Sequence, residues 1–196
     1  MRGSTIVVCV LVLTAGCLGS GGIPAGDRGD STVTNTESTP QQPTTPSSAR
    51  YDVDIERIED LIHERMNERR VENGVDPLER NETLDAVARY KSWDMAQRDY
   101  FAHTGPNGST HSELRKRYEL ECSETGQNIY KKEYLNEPYP QSELSDSEQI
   151  ASDAVDSLFE SPGHRQNALS SNYDAQGIGV FVDENGTVFV PQELCG

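Results

Sequence analysis

The chain has 196 residues, which is enough for one domain with its own core and too few for two typical domains and a linker. Its 33 acidic residues exceed its 17 Lys and Arg, and residues 1–50 carry three charges of each sign, so the excess lies in the rest of the chain. A surface this acidic repels phosphate groups, which argues against a nucleic-acid partner and against electrostatic docking on a membrane. The acidic excess has two interpretations, a protein from a halophilic source or an ordinary acidic surface face. A stability that rises toward molar salt would support the halophilic source.

The N-terminus has the layout of a secretory signal. Arg2 precedes an apolar run at residues 6–13, which is shorter than the roughly 20 residues that span a bilayer. Small residues then lead to Cys17, and the segment LTAGC resembles a prokaryotic lipobox, in which the cysteine is lipidated and becomes the first mature residue. Thr14 stands where that motif usually has Leu. We therefore expect a signal peptide over residues 1–17 and a membrane anchor at Cys17; an ordinary signal with an incidental cysteine is the alternative.

Residues 18–50 differ in composition from the rest of the chain. They are rich in Gly, Ser, Thr, Pro and Gln and contain no aromatic residue. Such a segment cannot bury enough apolar surface to offset the entropy of ordering it. It predicts a disordered stalk, followed by a single domain over residues 51–196.

The cysteines fit an exported protein. Cys9 lies in the apolar signal and Cys17 at the anchor, which leaves Cys122 and Cys195 for the domain. In an oxidising exterior these two most simply pair, and closing so long a loop adds roughly 4 kcal/mol in the chain-entropy model. A metal site from this pair lacks clustered spacing.

The first half of the domain predicts two amphipathic helices. Asp54 can cap a helix with apolar residues at helical spacing, which Gly74 ends. A second helix is expected after Asn81 and runs toward Arg98. Both bury one face in the core.

Capping boxes predict two further helices. Thr110 to Glu113 and Ser145 to Glu148 both have the required pattern, and a short helical segment from His164 to Leu169 follows the turn at residues 161–163. The end of the chain changes to a β period at Gln176 to Val182 and Thr187 to Val190, joined by a turn containing Asn-Gly. A third strand is expected near residues 126–130, which gives an α+β fold with helices packed on a small antiparallel sheet.

Several short motifs in order carry a family resemblance. They are Asn67 and Arg70 in the first helix, GVDPL at 74–78, DYFAH at 99–103, GQNI at 126–129, SPGHRQN at 161–167 and GIGV at 177–180. Over residues 54–192 the chain resembles the CAP superfamily of cysteine-rich secretory and pathogenesis-related proteins (SCP-like domains), in its prokaryotic form. The resemblance implies an α-β-α sandwich and a cleft where two histidines face each other beside acidic residues, often with a divalent metal such as zinc.

By position, the resemblance assigns His103 and His164 to the cleft and makes them tentative metal ligands. The glutamate usual in the GEN motif is Gln127 here, which can hydrogen bond but carries no charge to act as a base or to neutralise a metal. Glu160 is the nearest residue to the second family acid, and Glu124 could also reach the cleft. Two imidazoles and an amide make a weak zinc site.

Other polar residues have less specific interpretations. His63 lies in a charged helix segment and is expected to be solvated, whereas His111 could approach the cleft. The basic cluster at residues 115–117 is typical of a solvated helix face. Asn128 is expected to bond backbone groups in the cleft loop.

Three functions remain open. The first is a tethered module that binds a small molecule, lipid or envelope component in the histidine cleft, which Gln127 favours. The second is a metal-assisted hydrolase or peptidase in which Glu124 or Glu160 polarises water. The third is a structural or adhesive surface protein with a vestigial cleft. Whether the protein is an enzyme is undecided, since fold is a poor guide to activity.

Overall fold

The computed structural model describes residues 53–134 and 146–196. The predicted signal peptide, the lipidation site Cys17 and the predicted stalk lie outside the described residues. Among those described, no helix is both long enough and apolar enough to cross a bilayer. The elements in chain order are α1 (Ile55–Glu72), β1 (Glu79–Arg80), α2 (Glu82–Gln97), α3 (His111–Arg117), β2 (Thr125–Glu133), α4 (Ser147–Glu160), α5 (Pro162–Ala168), β3 (Ala175–Ile178), β4 (Phe181–Val182) and β5 (Thr187–Cys195).

Strand β5 is the centre of the sheet. β2 pairs with it antiparallel from Thr125 to Glu133, and β3 and β4 pair antiparallel along its other side. β1 adds to β3 in parallel. The fold is α+β as expected. The sheet is mixed rather than purely antiparallel, because β1 pairs in parallel with β3. This strand was not predicted, since two residues are too few to show a sequence pattern.

Helices cover both faces of the sheet. Alternate side chains of a strand point to opposite faces, so Val188 and Val190 join the large core formed with α1 and α4, whereas Phe189 packs with Met95 of α2. The second face also carries α3, which contacts α2. The sheet thus separates a large apolar core from a smaller layer in which polar side chains are buried.

The predicted helix starts are confirmed for the first three helices. The Asp54 side chain accepts from the backbone N–H of Arg57 at 3.0 Å, and Asn81 caps α2 in the same way. Thr110 and Glu113 form the reciprocal capping box at the start of α3. Each cap satisfies backbone donors that would otherwise lack a partner.

The start of α4 differs from the prediction. Its N-cap is Asp146, whose side chain accepts from Gln149 N at 3.1 Å, and the predicted cap Ser145 lies outside the described residues. Glu148, which a capping box would turn back on its own helix, instead accepts from Arg57 and Arg65 of α1 at 3.0 and 2.8 Å. The carboxylate of Glu148 therefore joins α4 to α1, and Asp146, one residue after the predicted cap Ser145, caps α4.

Two glycines in the GIGV motif let α2 lie directly on the sheet. A Cβ at Gly177 would come within 2.2 Å of the backbone carbon of Leu84, and one at Gly179 within 2.1 Å of the backbone nitrogen of Arg89. No side chain fits such contacts. The motif therefore sets the closeness of α2 to the sheet, and so the position of the segment that follows α2.

The motif residues of α1 hold two loops. Asn67 accepts from Leu78 N at 2.8 Å and donates to Leu78 O at 2.9 Å. Arg70 is 1% exposed and donates to the carbonyls of Asp76, Ala168 and Ser170. Arg70 thereby fixes the end of α5, the helix that carries His164.

Candidate functional site

His103 and Gln127, two residues predicted for the site, are in direct contact. His103 lies between α2 and α3 and is exposed, whereas Gln127 is the third residue of β2 and is 4% exposed. Nδ1 of His103 lies 2.8 Å from Oε1 of Gln127. A buried amide therefore anchors the imidazole of an exposed residue.

The Gln127 amide also fixes which ring nitrogen of His103 carries hydrogen. Its Nε2 donates to Oε1 of Glu193, the residue directly opposite on β5, and an ionised carboxylate can only accept. The amide oxygen must then face His103, so Nδ1 of the ring donates and Nε2 of the neutral ring keeps its lone pair. The Nε2 atom of His103 is therefore left as a hydrogen-bond acceptor.

Glu193 is the central charge of this region and was not identified from the sequence. It is fully buried, and Arg115, which is 2% exposed, donates through Nη2 both to Glu193 Oε2 and to the carbonyl of Gly126. Burial raises the pKa of Glu193, while the charge of Arg115 and the hydrogen bond from Gln127 act in the opposite direction. Because Arg115 stays protonated, a neutral Glu193 would leave a buried cation unpaired, so the pair is ionic.

The basic cluster of α3 therefore differs from the prediction of a solvated face. Arg115 points inward to Glu193, and only Lys116 and Arg117 are exposed. Arg115 and Arg117 point in nearly opposite directions, because residues two apart in an α-helix lie about 200° apart around its axis.

His164, the second predicted cleft histidine, lies on α5 and is half-buried. Asn128 Nδ2 donates to the His164 carbonyl at 3.1 Å, and Asn167 Nδ2 donates to Asn128 Oδ1 at 3.2 Å, so Asn128 has the structural role expected. Burial, and after it the charge of His103, lowers the pKa of His164. Adjacent residues of β2 thus contact both histidines, Gln127 at the ring of His103 and Asn128 at the backbone of His164.

The two candidate acids are not joined to the histidines. Glu124 and Glu160 are exposed; the backbone of Glu124 pairs with Gly196, and Glu160 ends α4. Within the described residues, neither carboxylate forms a hydrogen bond or ion pair with His103 or His164. Their predicted place beside the cleft has no contact that supports it.

The donor set does not fit the zinc centre that the resemblance implies. Over residues 53–134 and 146–196, no three His, Cys, Asp or Glu side chains are grouped as metal ligands. Two imidazoles with a neutral amide fall short of the three protein ligands usual for catalytic zinc. The geometry instead provides hydrogen-bonding groups.

His111 and Lys91 complete the charged surroundings of Glu193. Nδ1 of His111 lies 3.9 Å from Glu193 Oε2, and burial, followed by the charges of Arg115, His103 and Lys91, lowers the pKa of His111 to about 4. Lys91 is 4% exposed and donates to the His103 carbonyl at 3.0 Å. His111 is therefore neutral at pH 7, and Lys91 ties α2 to the backbone of His103.

His63 is not solvated, contrary to expectation. It is half-buried, and its Nδ1 lies 3.0 Å from the amide nitrogen of Gln176. Gln176 accepts from Gln192 at 2.7 Å, and Gln192 accepts from Asn128 at 2.8 Å. These four residues, called here the neutral row, cross the sheet on the face opposite Glu193.

The predicted disulfide is confirmed. Cys122 and Cys195 are bonded with a sequence separation of 73 residues. The bond joins the segment before β2 to the end of β5, the two strands that carry Gln127 and Glu193. It therefore closes the sheet at the end where the polar residues lie.

Comparisons with known proteins place the chain in a family. The sequence model of the Cysteine-rich secretory protein family (CAP) matches residues 63–192. The uncharacterized protein YkwD of Bacillus subtilis (strain 168) is 27% identical over 161 residues, which cover 82% of this chain and 55% of that protein. The chain thus spans about half the length of this relative.

Two solved structures share the fold. An extracellular protein containing a SCP domain from Bacillus anthracis str. Ames has a TM-score of 0.58 at 22% identity, covering 79% of this chain and 45% of that one. An outer surface protein from Borrelia burgdorferi has a TM-score of 0.58 at 15% identity, covering 73% of this chain and 95% of that one. Since the family match extends over more than half of the residues, the chain belongs to the cysteine-rich secretory protein (CAP) family.

Proposed function

We propose that the protein is an exported, lipid-anchored module of the cell surface that binds a small or envelope-derived ligand in a cleft bordered by His103 and His164. The observation that carries the proposal is the bond from His103 to Gln127, which is held in turn by Glu193. The next residue of β2, Asn128, bonds the backbone carbonyl of His164, so adjacent residues of one strand contact both histidines. A neutral amide at position 127 suits recognition by hydrogen bonds better than activation of water.

The location is proposed from three features. A secretory signal precedes the domain in the sequence, a disulfide indicates an oxidising compartment, and two proteins of this fold are described as extracellular or as an outer surface protein. The anchor is proposed at Cys17. The acidic chain, with a formal charge of -16, would not adhere to anionic lipid by charge, so attachment needs the lipid.

Ligand binding in the cleft can be tested on the full chain recovered from membranes. Native mass spectrometry would compare the native protein with His103→Ala/His164→Ala, and with Gln166→Ala, an exposed position of α5, as the matched control. We expect a co-purifying species on the native protein and the control that is absent from the double variant. Retention of the same species by the double variant would exclude the cleft as its binding site.

The anchor is tested separately by membrane fractionation. We expect Cys17→Ser to release the protein from the membrane fraction and to lose the mass of the lipid, while Cys9→Ser, within the apolar run, keeps both. Equal membrane retention of the two variants would contradict lipidation at Cys17.

A metal-assisted hydrolase is the second candidate, favoured by the contacts of adjacent β2 residues with both histidines. It requires one zinc ion per chain, lost together with peptidase activity in His103→Ala/His164→Ala. Equilibrium dialysis against zinc distinguishes the proposals, because the binding module is expected to retain less than stoichiometric metal.

A further inference from the structure

A pocket is lined by residues on both sides of His103 in the sequence, from α2 to α3. It has a volume of about 310 Å³, in the range of small-molecule sites, and it is enclosed by α2, α3 and the chain between them. Neither His103 nor His164 lines it. The lining residues are Tyr90, Lys91, Trp93, Asp94, Gln97, Arg98, Tyr100, Asn107, Ser109, Thr110, His111, Leu114 and Arg117.

The pocket is cationic in a strongly acidic protein. Its lining contains Lys91, Arg98 and Arg117 against the single acid Asp94, whereas the whole chain carries a formal charge of -16. Asp94 is already engaged, since it accepts from Arg98 and from the Tyr100 hydroxyl. An anion entering the pocket would therefore meet an excess of positive charge.

Lys91 is the most buried of these cations. It is 4% exposed, and its Nζ donates to the Tyr100 hydroxyl and the His103 carbonyl, each at 3.0 Å. An ammonium has three hydrogens, so one remains beyond these two bonds. Burial lowers the pKa of Lys91, and the charges of Asp94 and Glu193 act in the opposite direction. The charged form is therefore poorly solvated and would gain from a further anion.

The remaining wall is aromatic. The rings of Tyr90 and Trp93 have centroids 5.5 Å apart, and the Tyr100 ring lies 4.7 Å from Lys91 Nζ and 5.6 Å from the Arg98 guanidinium carbon. Such faces favour contact with another planar ring, while the cations beside them favour a negative group.

We propose that this pocket binds a small anion carried on a planar ring, with a carboxylate or phosphate directed to Lys91 and Arg117 and the ring against the aromatic wall. The site is separate from the histidine cleft, and its occupation does not depend on the function proposed for that cleft.

Trp93 makes the proposal directly measurable, because it is the single tryptophan of the chain and lines the pocket. Benzoate and phenyl phosphate would be titrated into the full chain at constant ionic strength while tryptophan emission is recorded. Benzyl alcohol provides a ring without charge, and inorganic phosphate a charge without a ring. We expect saturable changes with the two aryl anions that are weaker or absent with both controls.

The matched variants are Arg117→Gln and Lys116→Gln. Both remove one exposed positive charge from α3, but only residue 117 lines the pocket. We expect Arg117→Gln to weaken benzoate binding about three- to tenfold, as loss of a partly exposed ionic hydrogen bond does, and Lys116→Gln to change it less than about twofold. Equal weakening by both variants, saturation by benzyl alcohol as strong as by benzoate, or no saturable change with either aryl anion would overturn the proposal. Because Arg117 is exposed, its substitution leaves the buried Lys91 contacts intact.

Discussion

Two polar networks lie back to back on the same strands, and they differ in charge. The neutral row contains Asn128, Gln192, Gln176 and His63 and faces the large apolar core. The neighbouring residues Gln127 and Glu193 point to the other face, because side chains alternate along a strand. There they meet Arg115, Lys91, His111 and His103, called here the charged cluster.

The two networks also differ in how completely their groups are bonded. Among the described residues, four buried side-chain atoms lack a hydrogen-bond partner. Arg115 Nε, Arg115 Nη1 and His111 Nδ1 belong to the charged cluster, and Arg65 Nε of α1 belongs to neither network. The amides of the neutral row bond to one another and to the His164 backbone. The neutral row therefore holds the strands together. The charged cluster leaves buried polar atoms unbonded, which costs stability, on the face that carries the cationic pocket.

The largest expected effect comes from breaking the charged cluster. Glu193→Ala leaves Arg115 buried without its counter-charge, which should lower the free energy of unfolding by about 3–5 kcal/mol. Denaturant unfolding measures the change. In Arg115→Met/Glu193→Met both charges are gone, and we expect most of the stability to return. A single variant that costs less than about 1 kcal/mol would show that the pair is not buried as described.

The neutral row should be less sensitive to the equivalent change. Gln192→Ala removes the acceptor of Asn128 and the donor to Gln176, and two unsatisfied amide groups should cost about 2–3 kcal/mol in the same unfolding experiment. Gln166→Ala, at an exposed position, should stay within about 0.5 kcal/mol of the native protein. A cost for Gln192→Ala equal to that of Glu193→Ala would remove the contrast between neutral and charged networks.

Low pH should act on the charged cluster through His111. Its pKa is about 4 in the folded chain against 6.5 unfolded, so between these values the unfolded chain binds a proton that the folded chain does not. Stability therefore falls as the pH drops through this window, by roughly 2 kcal/mol after allowing for partial exposure of the ring. His63 and His164, whose pKa values are also lowered, act with the same sign.

His111→Gln isolates the contribution of that ring. Unfolding free energies at about pH 7, 5.5 and 4.5, which span the window between the two pKa values, should show a shallower loss in the variant than in the native protein. Parallel pH profiles for the two proteins would mean that His111 is not held neutral by the cluster.

Local sequence patterns predicted the parts of the fold that depend on near neighbours. Caps at Asp54, Asn81 and Thr110 were identified because a side chain bonds backbone groups within three residues. The Cys122–Cys195 pair was identified because it remained once the other two cysteines were placed.

The charged cluster could not be found in this way. Its central bond joins residues 127 and 193, which meet only through the register of β2 and β5. The pattern ended the last strand at Val190, before Pro191, whereas β5 continues to Cys195. The inward direction of Arg115 depends on the same pairing, since its partner lies on that unpredicted extension. Of the three basic residues at 115–117, Arg115 is buried because of its position opposite Glu193, which the residue types alone do not indicate.

The smallest expected effect on stability comes from exchanging the amide of Gln127 and the carboxylate of Glu193 between their two positions. The GEN motif of the resemblance has glutamate where this chain has Gln127, and here the acid lies directly opposite, at Glu193. Gln127→Glu alone would set two carboxylates side by side with Arg115 as their shared cation, which should cost about 1–2 kcal/mol at pH 7 and less as the pH falls.

The exchange Gln127→Glu/Glu193→Gln keeps one acid and one amide across the same strand pair, so its stability should return to within about 1 kcal/mol of the native value. Its effect should appear at His103, whose Nδ1 would then donate to a carboxylate directly. Hydrogen bonds to a carboxylate are shorter than those to an amide, so the NMR resonance of the Nδ1 hydrogen should move downfield from its native position. If the exchange restores stability but leaves that resonance unchanged, the charge of Glu193 already acts on the imidazole through the amide of Gln127 as strongly as a direct carboxylate partner would.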